Sequence, residues 1–214
     1  MVRSTLIYRN DGLPLSGSVD DDSDPGLLEQ KKKTKALVSR MNQNSEPRAT
    51  VTSGEFTIHY LINDSIVYLC ICDKQFPRKL AFSYLSEISE EFSNSHGQDA
   101  LSPTTRPYQF VQFDSFMAKT KKLYQDARAQ SNLDKLNTEL ADVKKVMTKN
   151  IEDLLYRGDS LDKMSDLSSS LRSESIKYRK AARRINLEAL IRQYLPVAAF
   201  GLFIVFIVWW MLLR

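Results

Sequence analysis

The stretch KNIEDLLYRGDSLDKM, residues 149–164, carries apolar side chains at alternating intervals of three and four residues. On a helix this spacing places them along one stripe, with Arg157 in the middle of it. The same spacing continues in both directions, from residue 133 to residue 185. Its positions are Leu133, Leu136, Leu140, Val143, Met147, Asn150, Leu154, Arg157, Leu161, Met164, Ser168, Leu171, Ser175, Tyr178, Ala182 and Ile185.

The stripe predicts a long helix that associates with other helices. No proline interrupts the chain between Tyr108 and Leu195, so one continuous helix is sterically allowed. Positions outside the stripe are polar, such as Lys135, Lys144 and Asp162. Because a narrow apolar stripe on a solvated helix cannot be buried by that helix alone, we expect partner helices to cover it.

Arg157 distinguishes between two kinds of coiled coil. A guanidinium inside an apolar seam costs several kcal/mol unless its N–H donors are paired. It therefore predicts partner helices that bring hydrogen-bond acceptors to the same layer. The alternative is an ordinary coiled coil from which the arginine side chain extends to solvent. The small side chains of Ser168 and Ser175 suit layers in which several helices crowd together.

Residues 149–164, the basic stretch after them and the apolar C-terminal run together resemble the SNARE motif of synaptobrevin-type R-SNAREs. In that family one arginine and three glutamines from partner chains form the central layer, and Arg157 falls on it. The resemblance implies a coiled-coil motif over residues 133–187 that forms a parallel four-helix bundle with three Q-SNARE helices. The glutamines would accept the arginine's hydrogen bonds and fix the register, at some cost in stability.

The C-terminal run, residues 195–213, is uncharged and almost entirely apolar. At about 1.5 Å per residue, a helix of this length spans about 30 Å, and Trp209 and Trp210 suit a membrane interface. We expect a transmembrane tail anchor with a cytosolic N-terminus, preceded by a juxtamembrane segment at residues 188–194; a buried core helix is the alternative. Anionic lipid headgroups, rather than nucleic acid, are the expected partner of the basic residues before it. These residues are Lys177, Arg179, Lys180, Arg183, Arg184 and Arg192.

Residues 1–125 follow a different pattern, which predicts a separate α+β domain. Alternating apolar residues predict a strand pair around the turn at residues 10–12 and three antiparallel strands over residues 50–72. The expected helices follow Pro25, Pro77 and Pro107. This order, with RPYQF at residues 106–110 opening the last helix, resembles the longin domain of some R-SNAREs. The resemblance implies a profilin-like, five-stranded antiparallel sheet with helices, then a linker at residues 126–132.

Among R-SNAREs with a longin domain, the layout most resembles the ER-to-Golgi vesicle-trafficking member of the Sec family. The resemblance implies vesicle docking and fusion at endoplasmic reticulum, Golgi and transport-vesicle membranes. The implied partners include COPII coat proteins and an ATP-driven machinery that disassembles SNARE bundles. It also implies a closed form in which the longin domain binds part of its own SNARE motif, and by analogy the candidate segment is Asn150, Ile151 and Glu152. One alternative is a non-fusogenic tether or scaffold, whose heptads would not need Arg157. Another is a regulatory adaptor that acts through its longin domain and whose helix is passive, so that a change such as Leu161→Asp would be harmless.

Nothing in the sequence points to an enzyme, a cofactor or a metal site. His59 falls in an alternating strand and His96 in a polar loop, and neither has a nucleophile at a recognisable spacing. The aspartate run at residues 20–24 lacks EF-hand spacing, so a solvated loop that caps the next helix is favoured over a calcium site. Cys70 and Cys72 alternate along an apolar strand, and we expect them to be reduced and buried.

Overall fold

A six-stranded sheet lies at the centre of the structure, a computed structural model that describes residues 1–18, 24–41, 45–125 and 146–155. These residues fall in the first of two units of the chain, Met1–Glu174; the second, Ser175–Arg214, lies outside the described residues. The strands are β1 (Val2–Arg9), β2 (Pro14–Gly17), β3 (Arg48–Ser53), β4 (Phe56–Asn63), β5 (Ile66–Asp73) and β6 (Met147–Asn150). The helices are α1 (Pro25–Val38), α2 (Arg78–Leu101), α3 (Asp114–Gln125) and α4 (Ile151–Leu155), with a 3-10 turn at Val111–Phe113.

The sheet has the strand order β2-β1-β5-β4-β3-β6. Strands β1 to β5 pair antiparallel with one another, whereas β6 pairs parallel with β3. The prediction of a five-stranded antiparallel sheet is therefore corrected: the sheet is mixed, and its sixth strand comes from a segment expected to be helical. The physical reason is the edge of β3, whose unpaired N–H and C=O groups would otherwise be open to any extended segment.

Alternate residues of the central strands face opposite sides of the sheet, and helices cover both sides. On β5, Tyr68, Cys70 and Cys72 pack in the core beneath α2, while Val67, Leu69 and Ile71 pack in the core beneath α1. The run is continuously apolar because both of its faces are buried. Both cysteines are buried and free, as predicted.

The turn between β4 and β5 uses two residues with left-handed backbone conformations. Asp64 has φ +47° and Ser65 has φ +64°, as in a type I′ turn, whose twist matches that of the flanking strands. Asn10 N donates a hydrogen bond to Ser65 O at 2.8 Å. The turn is thereby joined to the hairpin of β1 and β2.

Two details of the helices bear on the sequence predictions. Asp24 caps α1, its Oδ1 accepting hydrogen bonds from Gly26 N at 2.9 Å and Leu27 N at 3.4 Å, so the predicted capping role is confirmed. The predicted loop around His96 is wrong, because α2 continues to Leu101. The imidazole of His96 packs on the ring of Phe110, with ring centroids 4.9 Å apart, and this tertiary contact outweighs the polar composition around it.

Candidate functional site

Residues 146–155 lie against the N-terminal domain, and we call them the docked segment. Its strand β6 extends the sheet at the edge of β3, in a register that pairs Ala49 with Met147 and Thr52 with Asn150. Thr52 Oγ1 also donates a hydrogen bond to Lys149 O at 3.3 Å. This is recognition by strand addition, in which main-chain hydrogen bonds supply much of the affinity.

Two apolar side chains anchor the part of the segment that follows β6. Ile151 and Leu155 are 1% and 6% exposed, respectively, and pack in the core beneath α1. Burying an aliphatic side chain of this size contributes about 1.5–3 kcal/mol. Asn150 Oδ1 accepts a hydrogen bond from Glu152 N at 3.0 Å, which satisfies a free N–H at the start of α4.

An arginine of the N-terminal domain binds each end of the docked segment. At its start, Arg78 Nη1 donates to Val146 O at 3.3 Å and Nη2 donates to Thr148 Oγ1 at 2.8 Å. At its end, Arg40 Nη1 donates to Leu154 O at 3.2 Å and also to Leu155 O. Because the last carbonyls of a helix have no partner within it, Arg40 satisfies groups that would otherwise need solvent.

The side chains of β6 itself contribute less. Met147 is 53% exposed, and Thr148 is also exposed. Lys149 Nζ lies 3.1 Å from Glu46 Oε1, but both side chains are about a third exposed, so this ion pair is expected to contribute less than about 1 kcal/mol. Backbone pairing and the contacts at the two ends therefore hold the segment in place.

A buried histidine lies one strand inside β3. His59 Nδ1 is 3.0 Å from Thr50 Oγ1, and its ring packs edge-on against Phe82. Burial, with a smaller effect of the Arg78 charge, lowers the pKa of His59 to about 4. Its strand partner Cys70 is fully buried, and burial raises the pKa of its thiol. A neutral imidazole beside a protonated, enclosed thiol is a packing arrangement rather than a nucleophile and base.

Of the predicted bundle layers, the structure describes Met147, Asn150 and Leu154. Met147 and Asn150 lie on β6, so the prediction of one continuous helix is wrong for this stretch of the unpartnered chain. Without partner helices to cover its apolar stripe, the segment pairs its backbone with the β3 edge instead. Leu154 lies half-buried on α4.

The proposed fold-back residues Asn150, Ile151 and Glu152 all lie in the docked segment. Ile151 is buried, whereas Asn150 and Glu152 are exposed. Sequence reasoning missed Arg40 and Arg78, because no spacing in the sequence relates them to a segment that lies more than sixty residues further along the chain.

The other predicted site residues lie outside the described residues. The bundle positions among them are Leu133, Leu136, Leu140, Val143, Arg157, Leu161, Met164, Ser168, Leu171, Ser175, Tyr178, Ala182 and Ile185. The basic positions are Lys177, Arg179, Lys180, Arg183, Arg184 and Arg192. Within the part that is described, no helix combines the length and apolar character needed to cross a bilayer; the predicted membrane segment, residues 195–213, is outside that part.

Comparisons with known proteins agree with both halves of this layout. A longin, regulated-SNARE-like domain model matches residues 15–117, and a synaptobrevin model matches residues 132–212. Protein transport protein SEC22 of Yarrowia lipolytica is 62% identical over 99% of this chain and 100% of its own length. The Schizosaccharomyces pombe protein of that name is 61% identical over 98% of each chain. The 25.3 kDa vesicle transport protein SEC22-1 of Arabidopsis thaliana is 44% identical over 98% of this chain and 97% of its own. The chain therefore belongs to the Sec22 family of vesicle transport proteins, R-SNAREs with an N-terminal longin domain.

Proposed function

We propose that residues 133–187 form a parallel four-helix bundle with three Q-SNARE helices, with Arg157 in the central layer. Bundle formation would drive vesicle docking and fusion between the endoplasmic reticulum and the Golgi, in both directions. The unbroken heptad register from residue 133 to residue 185 supports this proposal, as do the synaptobrevin match and the names of the relatives. The role is mechanical and non-enzymatic, since burial of the layers supplies the free energy.

In this proposal the helices first pair near Leu133 and then zip towards Ile185. Residues 195–213 anchor the chain in the membrane of the endoplasmic reticulum, Golgi or transport vesicle, with the N-terminus in the cytosol. The basic residues between Lys177 and Arg192 lie at the membrane surface, where anionic headgroups attract them. A helix that continues through this region would transmit the pull of assembly to the anchor.

We propose further that the longin domain regulates assembly by holding the docked segment. The observation that supports this most directly is the secondary structure of Met147–Asn150, which is a strand on the longin sheet although its first and last residues are predicted bundle layers. A backbone N–H bonded across a β-ladder cannot at the same time bond within a helix. Docking and bundle formation are therefore mutually exclusive for this stretch. COPII coat proteins would sort the closed form, and an ATP-driven machinery would recycle the bundle, as the family implies.

A mixing experiment tests the bundle. The cytosolic region, residues 1–194, is combined with candidate Q-SNARE helices of the early secretory pathway while helicity and thermal stability are followed. We expect a highly helical, heat-resistant complex that is weakened by Leu154→Asp or Leu161→Asp and unaffected by Asp162→Asn at an outward position. If no combination forms a complex although the longin domain is folded, the protein would instead be a non-fusogenic tether or a regulatory adaptor.

A further inference from the structure

The hydroxyl of Thr148 faces a guanidinium at the surface of the docked segment. Thr148 is exposed on the outermost strand of the sheet, and its Oγ1 accepts a hydrogen bond from Arg78 Nη2 at 2.8 Å. The second nitrogen of the same guanidinium binds Val146 O at 3.3 Å. Arg78 thus presents a fixed positive charge beside an accessible hydroxyl.

A phosphate on this hydroxyl would meet a favourable electrostatic environment. Phosphate carries about two negative charges at neutral pH and offers three strong acceptor oxygens, which suit the planar donors of arginine. The neighbouring Lys149 does not add to this charge, because successive side chains of a strand point to opposite faces and its Nζ is paired with Glu46 Oε1 at 3.1 Å; Arg78 is the cation that faces the hydroxyl. The modification would replace one neutral hydrogen bond to Arg78 with charge-assisted bonds.

The same phosphate would have little effect on the bundle. In the apolar stripe of the sequence, Thr148 follows the layer position Met147 and is itself an outward position. A phosphate there stays in solvent. Because it gains a partner in the docked form and none in the bundle, it shifts the equilibrium towards docking.

We propose that Thr148 is a phosphorylation site for a basophilic protein kinase, and that the phosphate binds Arg78 and holds the docked segment on the longin domain. Lys144 and Lys145 stand four and three residues before it in the sequence, which suits a kinase that selects basic residues on this side. Thr148 Oγ1 attacks the γ-phosphorus of ATP, the bond to the bridging oxygen of ADP breaks, and the hydroxyl proton passes to the kinase's carboxylate base. The proposal rests on the regulatory role of docking given above.

The first test asks whether the site is used. The full chain in detergent is incubated with Mg·ATP and a panel of basophilic kinases, and phosphopeptides are identified by mass spectrometry. We expect phosphate at Thr148, reduced in Lys145→Ala and absent at this position in Thr148→Val. A panel that leaves Thr148 unmodified would overturn the proposal.

The second test asks what the phosphate does. Genetically encoded phosphothreonine is placed at position 148 of the full chain, and amide hydrogen exchange is followed over Met147–Asn150 and Ile151–Leu155. We expect the phosphate at position 148 to slow exchange of these amides about tenfold. This slowing should disappear in Arg78→Gln. Phosphothreonine at the exposed Thr104, which is bonded to Ser102, should not slow exchange of these amides. Equal exchange with and without phosphate at position 148 would refute the proposed effect. Fast exchange of these amides in the unmodified chain would instead show that docking itself is wrong.

Discussion

His59 Nδ1 lies 3.0 Å from Thr50 Oγ1, and Thr50 is the residue of β3 that pairs with Thr148 of β6. The other ring nitrogen, Nε2, is buried and has no hydrogen-bond partner among the residues that the structure describes. A neutral imidazole is thus built into β4, with only β3 between it and the docked strand β6. Protonation would place a charge in the core beneath α2, close to the guanidinium of Arg78.

We expect the protein to lose stability in mild acid because of this histidine. Its pKa is about 4 in the folded state, against 6.5 for an ordinary histidine, so the unfolded chain takes up the proton first as the pH falls. The free energy of unfolding is therefore highest above pH 6.5, where the imidazole is neutral in both states. It falls by about 3 kcal/mol between pH 6.5 and pH 4, because the unfolded chain binds a proton that the folded protein does not.

Urea unfolding at several pH values between 7.5 and 4 measures this effect. The amide of His59→Asn can still bond Thr50. This variant should be less stable than the unaltered protein at neutral pH, but its free energy of unfolding should fall less between pH 7.5 and pH 4. Parallel losses in the two proteins would mean that carboxylates, and not His59, set the acid response.

Arg40→Gln should weaken docking of the segment while leaving the longin domain folded. The substitution removes the hydrogen bonds that Arg40 donates to Leu154 O and Leu155 O. Charge-assisted bonds of this kind contribute about 1.5–3 kcal/mol, which corresponds to about 10- to 150-fold faster hydrogen exchange over Ile151–Leu155. The matched control, Arg106→Gln, makes the same change at an exposed position after α2. An exchange rate in Arg40→Gln equal to that of the control would show that Arg40 does not hold the segment.

Ser65→Gly should stabilise the N-terminal domain. Ser65 has φ +64° in the turn between β4 and β5, and glycine adopts this conformation without strain. Glycine also gives the unfolded chain more freedom, which offsets part of the stability gained from the relief of strain. We expect an increase of about 0.5 kcal/mol in the free energy of unfolding. Gly54→Ala is the converse control: Gly54 has φ +58°, and no atom of the described residues lies within 4 Å of the position that an alanine Cβ would occupy. Its change in stability therefore reports backbone strain and the lower freedom of the unfolded chain, without a steric clash. A stability loss in Ser65→Gly would mean that the serine side chain stabilises the turn.

The sequence predicted the longin domain better than the docked segment, for a physical reason. Strands such as β5 carry their pattern locally as a run of apolar residues, and helices such as α2 carry theirs in the apolar spacing and the proline before them. The state of Met147–Asn150 instead depends on what is available to pair with it. Its heptad spacing predicts a helix when partner helices are present, but nothing in these four residues reveals an open edge on β3. The contacts of Arg78 were missed for the same reason, since they exist only once the segment has docked.

Ile151→Asp and Leu161→Asp should separate docking from bundle formation. Ile151 is 1% exposed in the docked form but is not one of the positions of the apolar stripe, so a carboxylate there should release the segment and leave the bundle layers intact. Leu161 is a stripe position and lies outside the docked segment, so its change should spare docking and weaken the bundle.

Hydrogen exchange of the docked segment and the rate of complex formation with Q-SNARE helices are measured on both variants, with the exposed Asp153→Asn as control. We expect Ile151→Asp to assemble several-fold faster than the unaltered chain, because the fraction of chains with a free segment rises. Assembly of Ile151→Asp at the unaltered rate, with its segment released, would mean that undocking does not limit assembly. The longin domain would then bind the segment without controlling it, and the proposed regulatory role would have to be abandoned even if the bundle forms.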